Sequence, residues 1–238
     1  MKYNTVSTAL NAARLITLVL AVYTQLAVAF PLRAATPHLP LLKTGDIVFQ
    51  NGSSSAREAI MIASGSPYTH VGIIEIDAKK RPFVIEAVGP VRSVAFDTWR
   101  RNGIEQRITV MRVKGLTEVD AMQAIARARQ YIGRPYDHHY FETRDRIYCS
   151  ELVHAAFKEG PGIILGREQR LRDLNTDTAA AHGLIKKHWR THPLCAGKLA
   201  DFGNCRDLIL DQTVVTPASI AADEQLELVY TDFDVKVD

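Results

Sequence analysis

Cys149 stands near the start of the segment "YCSELVHAAFKEG" and is the residue on which any chemistry in this sequence would depend. Apolar residues recur three, four and seven positions after it, at Leu152, Val153 and Ala156. This is the spacing of one helical face, so the thiol points toward whatever the helix packs against. Such a cysteine is either a small buried hydrophobe or a nucleophile, because a helix N-terminus favours the thiolate. The helix alone leaves both interpretations open.

A nucleophilic thiol needs a base, and the base needs a group that orients it. His70 opens the segment "HVGIIEI" (70–76), and Glu86 lies among apolar neighbours in "PFVIEAV" (82–88). Both segments are typical of strands, and the polar stretch between them predicts an antiparallel hairpin. If the strands pair end to end, His70 and Glu86 lie diagonally on one face. The alternatives are a hydrogen-bonded strand-end histidine and an exposed edge carboxylate.

The remaining elements must hold this hairpin against the helix. Strands interleave with a few helices and show no regular βαβ rhythm, which predicts an α+β domain. The further predicted elements are a strand at 46–50, a helix at 55–64, a helical turn at 97–103, a strand at 106–113 and a helix after Thr117.

Composition excludes several classes of protein. With 47% hydrophobic and 23% charged residues, the 238-residue chain has the make-up of a globular protein. The formal charge is only +3, and no block of lysine and arginine is present. Binding to nucleic acid is therefore not expected.

The N-terminal residues have the features of a targeting segment. Lys2 and Arg14 precede the apolar stretch 15–30, which contains the small-residue pattern "AVA" and is short for a spanning helix. We predict a cleaved signal peptide (1–29), a short linker (30–40) and one domain (41–238). The protein would then be periplasmic or secreted. The alternative is an uncleaved anchor formed by residues 15–30, which would be its contact with the membrane.

Export bears on the three cysteines. Cys195 and Cys205 lie close together in a loop-like stretch, and an oxidising compartment would allow them to form a disulfide that leaves Cys149 free. The alternative is three reduced, unrelated thiols. His138 and His139 are adjacent and would point apart on a helix or a strand, and His182, His188 and His192 lack a tight ligand spacing. No metal and no cofactor are therefore expected.

Four motifs together resemble a known family. "TGDIVFQ", "YTHVGII", "VIEAVG" and "YCSELV" resemble the strands and the cysteine motif of NlpC-type papain-like cysteine peptidases. The histidine motif precedes the cysteine motif here, which is the order of the circularly permuted, YiiX-like branch. The resemblance covers residues 41–165 and implies a papain-like domain in which a helix bearing the nucleophilic cysteine packs on an antiparallel sheet.

The resemblance also implies roles for single residues. Cys149 matches the nucleophile of the family and His70 its general base, while Glu86 stands where the family often has a histidine as third polar residue. A carboxylate is a sound substitute, because it fixes the imidazole tautomer. "GRPYD" resembles a segment whose tyrosine is implicated at the active site. Tyr136 is therefore either a donor to the oxyanion or a packed turn residue.

The function implied is that of an exported cysteine hydrolase. It would cleave an amide bond through a thiol acyl-enzyme, with a peptide, a peptidoglycan-derived molecule or an acyl-amide as substrate. One alternative is an acyltransferase that uses lipid or amine acceptors. Another is an exported binding module that kept the fold without the activity.

Overall fold

An antiparallel sheet and the helices packed on it dominate the part of the chain that the structure, a computed structural model, describes: residues 39–143, 145–197 and 201–233. The strands are β1 (Ile47–Gly52), β2 (His70–Ile76), β3 (Pro82–Glu86), β4 (Arg92–Ala95), β5 (Gly103–Val113), β6 (Glu168–Arg170), β7 (Thr213–Val215) and β8 (Leu226–Thr231). The helices are α1 (Arg57–Ser64), α2 (Phe96–Arg101), α3 (Glu118–Gln130), α4 (Cys149–Glu159), α5 (Ala179–His188), α6 (Phe202–Asp211) and α7 (Pro217–Ala221). Short 3₁₀ helices span Leu171–Asp173 and Trp189–Thr191.

The main sheet has the strand order β4–β3–β2–β1–β5–β8, and β6 pairs with β7 in a small second sheet. Every neighbouring pair is antiparallel, which confirms the predicted α+β class. The predicted hairpin is confirmed as well, since Ile73 lies opposite Ile85 and Ile76 opposite Pro82. Its second strand ends at Glu86, two residues before the predicted end.

Both faces of the main sheet are covered by apolar side chains, because alternate residues of a strand point to opposite faces. From β1, Ile47 and Phe49 pack in the cluster that contains Val153 of α4. Val48 points the other way and packs in the cluster of Trp99 from α2. Burial on both sides explains why the first half of β1 is apolar without alternation, and it fixes the position of α4 on the sheet.

The first turn of α4 is held by a capping box. Tyr148 is the N-cap residue, and its backbone N–H donates to Oε2 of Glu151 at 3.2 Å. The helical face predicted from the sequence is buried, including Cys149 and Val153. The thiol is thereby fixed at the N-terminus of a helix that packs against β2.

A buried ion pair links the start of β1 to β5. The carboxylate of Asp46, which follows Gly45 in the "TGD" motif, accepts hydrogen bonds from Nε and Nη2 of Arg112 at 2.7 and 2.8 Å. Asp46 is fully buried and also accepts from the backbone N–H of Lys43 at 2.8 Å. This pair fixes two central strands relative to one another.

The segment 166–215 carries β6, α5, α6 and β7 and contains the disulfide. Cys195 and Cys205 are bonded, with their Cα atoms 5.6 Å apart, which confirms the predicted pairing and leaves Cys149 as a free thiol. The disulfide packs with Trp189 and Ile209 in a small apolar cluster. The disulfide therefore connects the turn after the second 3₁₀ helix to α6.

The predicted signal peptide (1–29), the alternative anchor (15–30) and all but the last two residues of the predicted linker (30–40) lie outside the described residues. Among the residues that are described, no helix is both long enough and apolar enough to cross a bilayer.

Candidate active site

The side chains of His70 and Glu86 are hydrogen-bonded to one another across the β2–β3 hairpin. Nε2 of His70 lies 2.6 Å from Oε2 of Glu86, and both side chains are buried. Gly72 leaves room for the side chain of Val84 between the two strands, because a Cβ at that position would lie 2.4 Å from a methyl group of Val84. Since a carboxylate accepts, the Nε2 nitrogen carries the hydrogen, and Nδ1 is left for another partner.

Arg92 was not anticipated from the sequence, and it completes the set of partners of Glu86. β4 pairs with β3 so that Arg92 lies opposite Glu86. Its Nε and Nη2 atoms donate to Oε1 at 2.9 and 2.8 Å, while Oε2 accepts from His70. Each carboxylate oxygen therefore has a charged or chargeable partner, which satisfies a group that is 2% exposed.

The thiol of Cys149 and the imidazole of His70 lie close enough to shift one another's pKa. Because Nε2 is engaged by Glu86, Nδ1 is the nitrogen left available to the sulfur. The backbone N–H groups of Val71 and Ser150 also lie near the sulfur and favour its ionised form. The thiol is only 3% exposed, so these contacts act where water screens little.

These contacts shift the pKa values of the three groups in directions that favour a charged pair. Burial alone would raise the pKa of the Cys149 thiol, but the hydrogen bond and charge of His70, with two backbone N–H groups, hold it below its ordinary value. Burial alone would lower the pKa of His70, yet hydrogen bonds to Cys149 and Glu86 raise it well above its usual value. For Glu86, His70 and Arg92 outweigh burial and lower the carboxyl pKa. The site is thus arranged to hold a thiolate, an imidazolium and a carboxylate in sequence.

Tyr136 lies in the same region of the molecule. Its ring meets that of Tyr140 edge to face, with centroids 6.3 Å apart, and both phenols interact electrostatically with Cys149. Burial raises the pKa of Tyr136 well above its usual value, so its hydroxyl keeps its proton. Tyr140, which the sequence did not single out, has a left-handed backbone with φ of 52°, an uncommon conformation for a residue other than glycine.

A cleft of about 880 Å³, part of it open to solvent, adjoins Cys149. Its walls are mostly apolar, and many of them come from the segment 166–215, whose role the sequence left open. From this segment come Leu171, Leu174, Leu184, Ile185 and Ile209, and α1 contributes Ala59, Ile60 and Ala63. The segment therefore forms a wall of the cleft, and the disulfide lies within this segment.

Four histidines form a cluster on one side of the cleft. The rings of His138 and His188 stack with centroids 5.6 Å apart, and His139 contacts His192 at 5.2 Å. Burial lowers the pKa of His192 to about 4 and lowers those of His139 and His188, so these rings are neutral near pH 7. The sequence missed this cluster because two members precede α4 and two come from the segment 166–215.

Three comparisons place the chain among known proteins. Residues 41–230 match the profile of a family described as permuted papain-like amidase enzymes, YaeF/YiiX, C92 family. The uncharacterized protein YiiX of Escherichia coli K12 is 33% identical over 188 residues, which cover 79% of this chain and 85% of that protein. A crystal structure of a protein described as the metalloprotein YiiX, from Escherichia coli O157:H7, superposes with a TM-score of 0.71 at 29% identity. That superposition covers 81% of this chain and 99% of the other.

Proposed function

Because this chain belongs to the family of permuted papain-like amidases, we propose that it is a cysteine hydrolase that cleaves amides with an apolar acyl group. The observation that carries the substrate class is the apolar cleft beside Cys149. An apolar wall contributes binding free energy in proportion to the apolar surface it removes from water. Peptidoglycan-derived peptides, which are polar and charged, would gain little from such a wall, so an acyl-amide is the better substrate.

In the proposed reaction, the Cys149 thiolate attacks the amide carbonyl carbon and a tetrahedral oxyanion forms. His70 then gives its Nδ1 proton to the leaving nitrogen, the C–N bond breaks and the amine departs, leaving a thioester on Cys149. His70 next takes a proton from water, whose oxygen attacks the thioester. The carboxylic acid leaves and the thiolate–imidazolium pair is restored. Glu86 holds the Nε2 hydrogen throughout and stabilises the imidazolium.

Two donors are proposed for the oxyanion. The backbone N–H of Cys149 is at the start of α4, where N–H groups lack partners within the helix. The Tyr136 hydroxyl is the second donor, and its raised pKa supports this role because a phenol can donate only while it is protonated.

Metal chemistry takes no part in this proposal. The relative of known structure is described as a metalloprotein, but the described residues of this chain contain no group of three or more His, Cys, Asp or Glu placed to hold a metal ion. The four clustered histidines contact one another through their ring faces and edges. We therefore derive no step through a metal.

The proposed place of action is the periplasm or the outside of the cell. The disulfide between Cys195 and Cys205 supports this location, because disulfides persist in oxidising compartments and are rare in a reducing cytosol.

Covalent trapping tests the proposal. The protein is mixed with p-nitrophenyl decanoate or decanoyl p-nitroanilide, quenched in acid and mapped by mass spectrometry. We expect a decanoyl group on Cys149, which hydrolyses on longer incubation, and no adduct in Cys149→Ser. Added ethanolamine distinguishes the acyltransferase: if the acyl group goes almost entirely to the amine, the hydrolase proposal is wrong. A protein that is never acylated would be a binding module.

A further inference from the structure

A second hollow lies on another side of α4, and we call it the polar cavity. It encloses about 1070 Å³, part of it open to solvent, and is lined by residues from the end of α3, the loop before α4, α4 itself and β7. Tyr148, Val214 and Val215 line both hollows and form the partition between the polar cavity and the cleft at Cys149. Nothing in the proposed reaction uses it.

His154 presents an unsatisfied nitrogen in this cavity. Nδ1 lies 2.7 Å from the carbonyl oxygen of Leu165, and since a carbonyl can only accept, Nδ1 carries the hydrogen. Nε2 is buried and has no hydrogen-bond partner among the described residues, and the side chain is only 9% exposed. In the neutral ring Nε2 is an acceptor, so a ligand that fits must bring a donor.

The nearest charged group defines what kind of donor fits. Oε1 of Glu168 lies 3.9 Å from Nε2 of His154, too far for a direct hydrogen bond. If an ammonium nitrogen lay about 2.9 Å from each of these two atoms, the angle between them at the nitrogen would be about 85°. Since N–H bonds of an ammonium group are tetrahedral, each hydrogen bond would bend by only about 12° from its N–H direction. For a metal ion about 2.1 Å from each atom, the angle between the two ligands at the metal would be about 136°, which fits neither tetrahedral nor octahedral coordination. The spacing favours an ammonium group.

Glu151 adds a second carboxyl to the same cavity. It lies three residues before His154 on α4, on the same helical face. Burial raises its pKa to about 8, so at neutral pH the empty cavity holds it mostly protonated. A cation nearby would favour its ionised form, which adds to the attraction for an ammonium group.

Two cations line the same cavity, and one of them, Arg134, acts on the carboxyls of Glu151 and Glu159 from beyond ion-pair distance. The guanidinium of Arg134 stacks over the ring of Tyr131 at 4.3 Å, and Lys158 extends from α4 one turn beyond His154. Neither forms an ion pair with a residue in the described part of the chain, whereas Arg127 on the same cavity is paired with Glu159. The cavity therefore offers hydrogen-bond acceptors together with two cations that form no direct ion pair in the described part of the chain.

We infer that the polar cavity binds a small zwitterion of the amino-acid type, whose ammonium group contacts His154 and Glu168 and whose carboxylate contacts Arg134 and Lys158. The site is separate from the cleft and does not depend on the proposed amidase reaction. Its occupant lies beside the helix that starts with Cys149.

Calorimetric titration of the full-length chain tests the inference. The probes are glycine, 4-aminobutyrate and 6-aminohexanoate, with butylamine and butyrate as single-charge controls. We expect saturable 1:1 binding of at least one zwitterion, and binding weaker by about tenfold or more for both single-charge controls. Glu168→Gln, on an exposed side chain, should weaken the zwitterion by a similar factor. Glu118→Gln, outside the cavity, and Cys149→Ser should leave affinity unchanged.

His154→Leu should abolish binding, and a melting curve shows whether that variant folds; if it does not, Glu168→Gln alone decides. Four results would overturn the inference. These are no binding of any zwitterion, equal affinity of butylamine and the zwitterion, equal affinity of the wild type and Glu168→Gln, or saturable binding of zinc chloride without binding of a zwitterion.

Discussion

Replacing Ala181 by phenylalanine is expected to shorten the acyl chain that the cleft accepts. Ala181 is a buried residue of α5 that lines the cleft, so a benzyl group in its place would occupy room that an acyl chain needs. Burying one methylene contributes about 0.8 kcal/mol, which is about fourfold in kcat/KM. A variant that excludes three methylenes should therefore lose about 2.4 kcal/mol, or about 60-fold, with long substrates only.

The assay measures kcat/KM for p-nitrophenyl esters and p-nitroanilides with acyl chains of two to twelve carbons. In the wild type, kcat/KM should rise by about fourfold per methylene until the cleft is filled. In Ala181→Phe the rise should stop several carbons earlier, with short acyl groups unaffected. Ala78→Phe, on an exposed turn, is the matched control. A wild type that ignores chain length would refute the assignment of the cleft, as would a variant with an unchanged optimum.

Three further outcomes are expected. Arg92→Ala removes two hydrogen bonds from Glu86, so the lowered carboxyl pKa should rise. As the medium is acidified, labelling of the thiol should then fall to half at a pH about one unit higher than in the wild type. An unchanged pH of half-maximal labelling would contradict this. Asp46→Asn leaves Arg112 without its counter-charge and should lower the free energy of unfolding by about 2–3 kcal/mol in urea titrations. The double variant Cys195→Ser/Cys205→Ser should lose about 2–3 kcal/mol of stability, and dithiothreitol should have the same effect on the wild type.

The β2–β3 hairpin could be predicted from the sequence because its signals are local. Two β-branched segments of matching length pair end to end, and this register alone puts His70 and Glu86 on one face. The face of α4 followed from the spacing of apolar residues after Cys149, because helical periodicity is also local. The order of the motifs gave the permuted family, which the comparisons confirm.

Residues supplied by distant parts of the chain could not be predicted. Arg92 contacts Glu86 only through the register of β3 and β4. The alternation of apolar and polar residues in "VRSVA" is too weak to predict a strand. The sequence of the segment 166–215 is mixed and polar, with its apolar residues scattered over several short elements. Only the folded chain brings these residues together on the wall of the cleft. His154 looked like one more residue of an amphipathic helix, and only the fold shows that its Nε2 atom has no partner among the described residues.

The claim that His70 keeps the Cys149 thiol ionised is tested most directly by a rate. It is the rate at which iodoacetamide alkylates Cys149 between pH 5 and 10, in the wild type and in His70→Ala. Peptide mass mapping assigns the label, and the disulfide keeps the other two cysteines unreactive. Without His70 the thiol pKa should be at least its free value of about 8.5, which leaves about 1% thiolate at pH 6.5. We expect His70→Ala to react about 100-fold more slowly than the wild type at pH 6.5, and its rate to approach that of the wild type near pH 10. Equal rates at every pH, or no label on Cys149, would contradict it.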